Sequence, residues 1–272
     1  MMSGFLAYGF VQRGLLAGSL VAAACALIGV FLVLKRLSLI GDGMSHVCLT
    51  GVAVALLTSS NPVYMSVPVV VLSSLGIMKI TQKFKIYGDA AIGIVSAAGL
   101  SVGLLITAFA GGFNTDLLGY LFGSILTVSW DEVLLCGILL AAVLGGLRFF
   151  YRDLTSACFD EPFARTRGVP VRIVNTALVA VTSVAVVLAF KVVGIFLISA
   201  MLIIPPVSAL LVSHTFKQVL VCAACFGVAS VWLGVYLSFL FNIPSGATII
   251  LVNLLVLAGC YIYAKVGGSD AR

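Results

Sequence analysis

A chain of 272 residues that is 62% hydrophobic and only 9% charged lies far from the soluble norm of about 25% charged residues. That excludes a water-soluble globular domain, and successive apolar stretches of about 20 residues exclude the short alternating segments of an outer-membrane barrel. The formal net charge of +6 informs through its placement rather than its sum, and gives no sign of a nucleic-acid partner.

In chain order, hydropathy and helix breakers predict an all-α, polytopic membrane protein in a single domain over residues 1–272. Nine spans are expected, near 14–34, 43–59, 63–80, 90–110, 130–149, 173–190, 193–212, 218–240 and 246–264. The count ranges from eight to ten, because Ser3 to Gln12 also reads as an interfacial helix and Asp116 to Ser129 as a partial or re-entrant segment. Arg13 is the first charge and the run after it is long enough to cross, so the first span reads as a true span and not a cleaved signal. With the amino terminus outside, thirteen of the fifteen basic residues face the cytoplasm, leaving Arg13 and Lys191. Six of the seven cysteines lie in apolar stretches and only Cys158 in a polar loop, which is no disulfide framework. Small residues four apart, as at Gly51 and Ala55 or Gly99 and Gly103, predict close approach of helices within a tight bundle.

The largest hydrophilic loop runs from Arg148 to Arg172 and carries its own helix signals. Asp160 can cap, Glu161 and Pro162 suit a first turn, and Gly168 with Pro170 ends it. About two turns result, mixing Phe163 with Arg165 and Arg167. Two readings stand: a solvated connector that holds the inside charges, or a docking helix for a soluble partner.

Of nine carboxylates, only Asp42 opens a span and is followed one turn later by a histidine, His46, with Thr50 a further turn on. Residues four apart share a helical face, so the three form a polar line on an apolar helix. A carboxylate at depth costs on the order of 3 kcal/mol, and such a line faces protein or water rather than lipid. The plainer readings are a carboxylate favoured by the helix macrodipole and a hydrogen-bonded core histidine. Together, an oxygen and an imidazole donor suit zinc or manganese(II) better than sodium or an organic solute. Two donors are too few to hold such an ion, but two copies about a two-fold axis would supply two carboxylates and two imidazoles. Pro205 and Pro206 fall inside a span, where a kink or a broken, path-lining helix is expected. The Cys222 and Cys225 pair reads as packing, and His214 as interfacial. No GxxxxGK[ST] phosphate loop is present, so the chain is not expected to hydrolyse ATP itself, and without HExxH or GxSxG an intramembrane hydrolase is poorly supported.

The stretch Val30 to Val47, with its Leu-Ile-Gly-Asp-Gly-Met-Ser-His core, resembles the signature of the permease subunits of zinc and manganese ABC importers. So do Asp89 to Ile94, Tyr120 to Leu126, Phe159 to Arg165 with Gly168 to Val171, Val193 to Pro205, and Ile243 to Thr248; the matches run in order from about Phe10 to Leu251. Departures are modest: Ser124 stands where relatives often carry an acidic or amide residue, Thr50 where many have proline, and Pro206 where many have alanine. The resemblance implies a homodimeric permease in the bacterial plasma membrane, in contact with membrane lipid. It implies cytoplasmic ATPase subunits that hold the ATP, and an extracytoplasmic metal-binding protein that delivers zinc or manganese(II). No permanently bound cofactor is implied. Metal passage falls at Asp42 and His46, with Thr50, Pro205 and Pro206 as further pathway or kink residues, and ATPase coupling at Asp160, Glu161, Phe163, Arg165 and Gly168. Competing readings are a proton-coupled secondary metal carrier, with Asp42 and His46 as the proton relay, and an ABC permease for iron chelates or a vitamin. A membrane scaffold without transport is a further alternative, and mixed nitrogen and oxygen donors accept zinc, manganese and iron(II) alike.

Overall fold

Helix is the only secondary structure that can satisfy every backbone polar group along an isolated apolar stretch, and each predicted span forms one. The computed structural model describes residues 9–84, 87–109 and 128–267. In order these form α1 (Gly9–Leu34), α2 (Ile40–Leu57), α3 (Pro62–Phe84), α4 (Gly88–Phe109), α5 (Trp130–Phe159), α6 (Glu161–Thr166), α7 (Val171–Val193), α8 (Ile195–Val212), α9 (Phe216–Phe241) and α10 (Ser245–Gly267). Eight of them are long and apolar enough to cross a membrane, and α8 has a shorter apolar stretch, Leu197–Val212. No strand occurs among the described residues. The amino-terminal interfacial segment is, from Gly9 onward, simply the start of α1; its first residues, nearly all of the re-entrant candidate near 116–129, and Ser124 lie outside the described residues.

α1 is the buried axis of the bundle, packed against α5, α7, α8 and α9. Its small residues let neighbours approach: Val231 of α9 sits against Gly18, and Gly227 of α9 against the carbonyl of Ala22. Just past its last turn the Lys35 ammonium donates to the Ala157 carbonyl at 2.9 Å, a cation on the last turn of α5.

α2 is seated by glycines on α4 and by one of its own. A methyl group on Gly99 would lie 2.7 Å from Val47 Cγ2 and one on Gly103 3.0 Å from the Thr50 nitrogen, while one on Gly51 would lie 2.5 Å from Ser66 Cα. α3 and α4 therefore press directly on the α2 backbone, and α7 and α8 also contact it.

One element differs from expectation in extent. The fifth span was expected to stop near residue 149, yet α5 runs 30 residues, to Phe159. Neither Gly nor Pro occurs between Arg148 and Phe159, so the loss of apolar character ends the membrane crossing without ending the helix. Tyr151 and Phe159 hold the extension by packing on Phe216 of α9, at ring-centroid distances of 6.0 and 5.6 Å. At the other end a reciprocal cap between Ser129 and Glu132 starts the helix.

Candidate functional site

The first turn of α2 is clasped on two sides. Gly41 leaves room for the Leu202 side chain of α8, and a methyl group on Gly43 would lie 2.6 Å from Ile92 of α4. Asp42, between these glycines, points out of the clasp, and its side chain is 54% exposed where both neighbouring residues are buried. His46, one turn on, is 33% exposed, with its Nε2 3.8 Å from Asp42 Oδ2. Two donors on one ion with bonds of about 2.1 Å lie about 3 to 3.4 Å apart, so a small side-chain rotation brings this pair to ligating distance.

A third side chain joins them. Ser199 of α8 donates its hydroxyl to Asp42 Oδ1 at 3.1 Å, which leaves Oδ2 free to face His46. The sequence alone gives Ser199 no role beyond its place in the Val193 to Pro205 stretch, where the available signal is a hydroxyl in an apolar span. The Ser45 hydroxyl bonds back to the Asp42 carbonyl at 2.6 Å and only closes the helical turn.

Thr50 is placed apart from the pair. It is 9% exposed and donates to the Gly99 carbonyl of α4. At about 100° per residue, two steps of four residues turn the helix by about 80° from the line of Asp42, which aims Thr50 at the neighbouring helix. Pro205 and Pro206 are buried inside α8, and the helix is continuous through both. The interruption falls earlier, at Gly194 between α7 and α8, whose φ of 84° suits a residue without a side chain. Among the described residues no three His, Cys, Asp or Glu side chains converge as a metal-binding group. Exposed His214 belongs to the cap of α9, its N–H donating to Gln218 Oε1 at 3.2 Å.

The second sequence-predicted cluster forms α6. Asp160 Oδ1 accepts from the Phe163 N–H at 3.0 Å, and Glu161 pairs with Arg165 at 2.6 Å. Gly168, at φ 78°, turns the chain out of the helix in a conformation that a side chain would strain. Ala164 is buried against Ala157, Val171 and Val174. Phe163 is 53% exposed, with the Arg167 guanidinium 5.8 Å from its ring centroid. α6 therefore rests one small side chain on α5 and α7 and offers an aromatic and cationic face to the outside.

The model of the family described as "ABC 3 transport family" matches residues 7–264. The chain belongs to the ABC 3 transport family. It is 32% identical over 267 residues to the manganese transport system membrane protein MntC of Listeria innocua, covering 98% of this chain and 95% of that protein. To the MntC of Halalkalibacterium halodurans it is 33% identical over 267 residues, covering 98% and 91%. Among solved structures it resembles PsaBC from Streptococcus pneumoniae in complex with Fab, with a TM-score of 0.86 and 28% identity over 98% of this chain and 100% of that one. As a member of the ABC 3 family the chain is a multi-pass permease subunit of an ABC transporter in a bacterial plasma membrane, and not itself an enzyme.

Proposed function

We propose that this permease conducts manganese(II) into the cell, with two copies forming the path and with Asp42 and His46 of each copy as transient ligands. The carrying observation is that the one exposed edge of the first turns of α2 holds a carboxylate and an imidazole 3.8 Å apart. Inside a membrane an ionisable edge of this kind is stable against protein or water and not against lipid. A second copy across that edge would double the donor set to four, enough for an ion that keeps some of its water. Mixed oxygen and nitrogen donors accept both zinc and manganese; the names of the MntC relatives favour manganese. A donor set completed only when two copies meet, and weakened when they part, also suits release.

In this reading the whole chain acts as one permease domain, and α6 is the contact through which a separate ATPase chain moves it. The exposed Phe163, the Glu161–Arg165 pair and the Arg167 cation are the features such a contact would use. ATP stays on that partner, the metal is cargo and not a resident cofactor, and an extracytoplasmic binding protein delivers it. The test is uptake by proteoliposomes that hold the permease with and without its ATPase, with the binding protein outside and manganese(II) or zinc supplied at equal concentration. Uptake that requires ATPase and ATP, faster for manganese, is expected. Uptake driven by a pH gradient alone would replace this reading with a proton-coupled carrier.

A further inference from the structure

The stretch of α5 from Ala142 to Leu154 borders two cavities whose linings include neither the Asp42–His46 pair nor any residue of α6. One is an open cleft of about 740 Å³ whose walls include Arg148, Arg152 and Lys217 with a single carboxylate, Asp153. The other is an apolar cavity of about 310 Å³ among α1, α5 and α7, running from Pro170 and Ile173 to Ala142 and Val181. Leu147 and Asp153 line both, so the two adjoin along α5.

The depth of this double site follows from helix geometry. From Trp130 to Arg148 α5 rises about 27 Å, close to the thickness of a bilayer hydrocarbon core, so Arg148 emerges at headgroup level. Phe149 and Phe150, 83% and 58% exposed, follow it as apolar rings on the outer surface of the same helix. Exposed Leu134, Ile138 and Leu144 mark the same helix as peripheral and lipid-facing. Arg148 and Arg152 are one turn apart on one face. Lys217 is brought to them by its neighbour Phe216, packed on Tyr151 at 6.0 Å. None of the three cations has a carboxylate partner within ion-pair distance among the described residues.

We propose that this is a binding site for an anionic glycerophospholipid of the inner leaflet. Its phosphate sits among Arg148, Arg152 and Lys217, and one acyl chain lies in the apolar cavity against Gly146, Phe150 and Leu178. Guanidinium groups match phosphate oxygens in geometry, and three cations against one carboxylate leave two charges for the headgroup. The apolar cavity runs from the cleft toward the bilayer middle, the direction an acyl chain takes. A soluble protein partner would have no use for that second cavity.

The test is native mass spectrometry of the full-length chain in detergent with equal amounts of phosphatidylglycerol and phosphatidylcholine. The wild type retains phosphatidylglycerol. Replacing both Arg148→Gln and Arg152→Gln weakens that retention about thirty-fold, while Arg148→Lys with Arg152→Lys keeps it near wild type. Gly146→Phe, which fills the apolar cavity and leaves the cations in place, also lowers it. Monodisperse elution of each variant confirms folding. Displacement of the lipid by millimolar inorganic phosphate would make this a free-phosphate site and overturn the proposal. So would unchanged lipid retention in the double glutamine variant, especially with weakened co-purification of the ATPase, which would assign the cations to a protein contact.

Discussion

Gly29→Ala tests the packing that holds the site-bearing helices. An added methyl group would fall on the carbonyl oxygen of Leu202 in α8 and lie 2.8 Å from Pro206 Cγ. Leu202 precedes Pro206 by four residues, and proline has no N–H to donate to that carbonyl. The Cα–H of Gly29 points at it instead, a weak donor that contributes about 0.5–1 kcal/mol. Overpacking against backbone costs about 1–3 kcal/mol, and the better helix propensity of alanine returns about 1 kcal/mol. The net is about 2 kcal/mol of destabilisation, or about 4–8 °C in unfolding midpoint for a chain of this class. Gly145→Ala is the internal control, because a methyl group there meets nothing within 4 Å. Thermal unfolding of both variants in detergent is the assay. A Gly29→Ala midpoint equal to that of Gly145→Ala would refute the close approach of α1 and α8.

The remaining predictions concern the site and the coupling face. Ser199→Ala removes the hydroxyl that holds Asp42; hydrogen bonds to charged groups contribute about 1.5–3 kcal/mol, reduced to about 1 kcal/mol for a half-exposed carboxylate, so the uptake rate falls about five-fold. Ser199→Thr restores it, and an unchanged rate in the alanine variant removes Ser199 from the site. Thr50→Val lowers stability by about 1 kcal/mol through the lost bond to Gly99, and uptake per folded protein stays at wild type because the hydroxyl is turned to α4. A selective loss of uptake would put Thr50 back in the path. Asp160→Ala and Gly168→Val each loosen α6, by about 1 kcal/mol for the lost cap. Both reduce co-purification with the ATPase; equal recovery in pull-downs would contradict the coupling role.

Much of this architecture was legible because the membrane leaves few choices. All nine expected spans correspond to helices, and α6 formed around the cap, proline and glycine expected for it, since those signals act over three or four residues. What escaped reading depends on relations across the chain. The extension of α5 past residue 149 is held by Phe216, which belongs to a helix much later in sequence. Ser199 reaches Asp42 across 157 residues, and only the approach of α8 to Gly41 brings them together. Four-residue spacing aligns Asp42, His46 and Thr50 only approximately, and the accumulated turn of about 80° aims Thr50 at α4. The double proline leaves α8 continuous, with α1 brought close to a freed carbonyl by Gly29.

The most direct test of the central claim is manganese uptake by the reconstituted complex of permease, ATPase and binding protein carrying Asp42→Ala or His46→Ala. Loss of uptake to background in each variant, with complex assembly intact by size-exclusion chromatography, is the result the account predicts. Wild-type uptake in both variants would contradict it and move the metal path away from the exposed edge of α2.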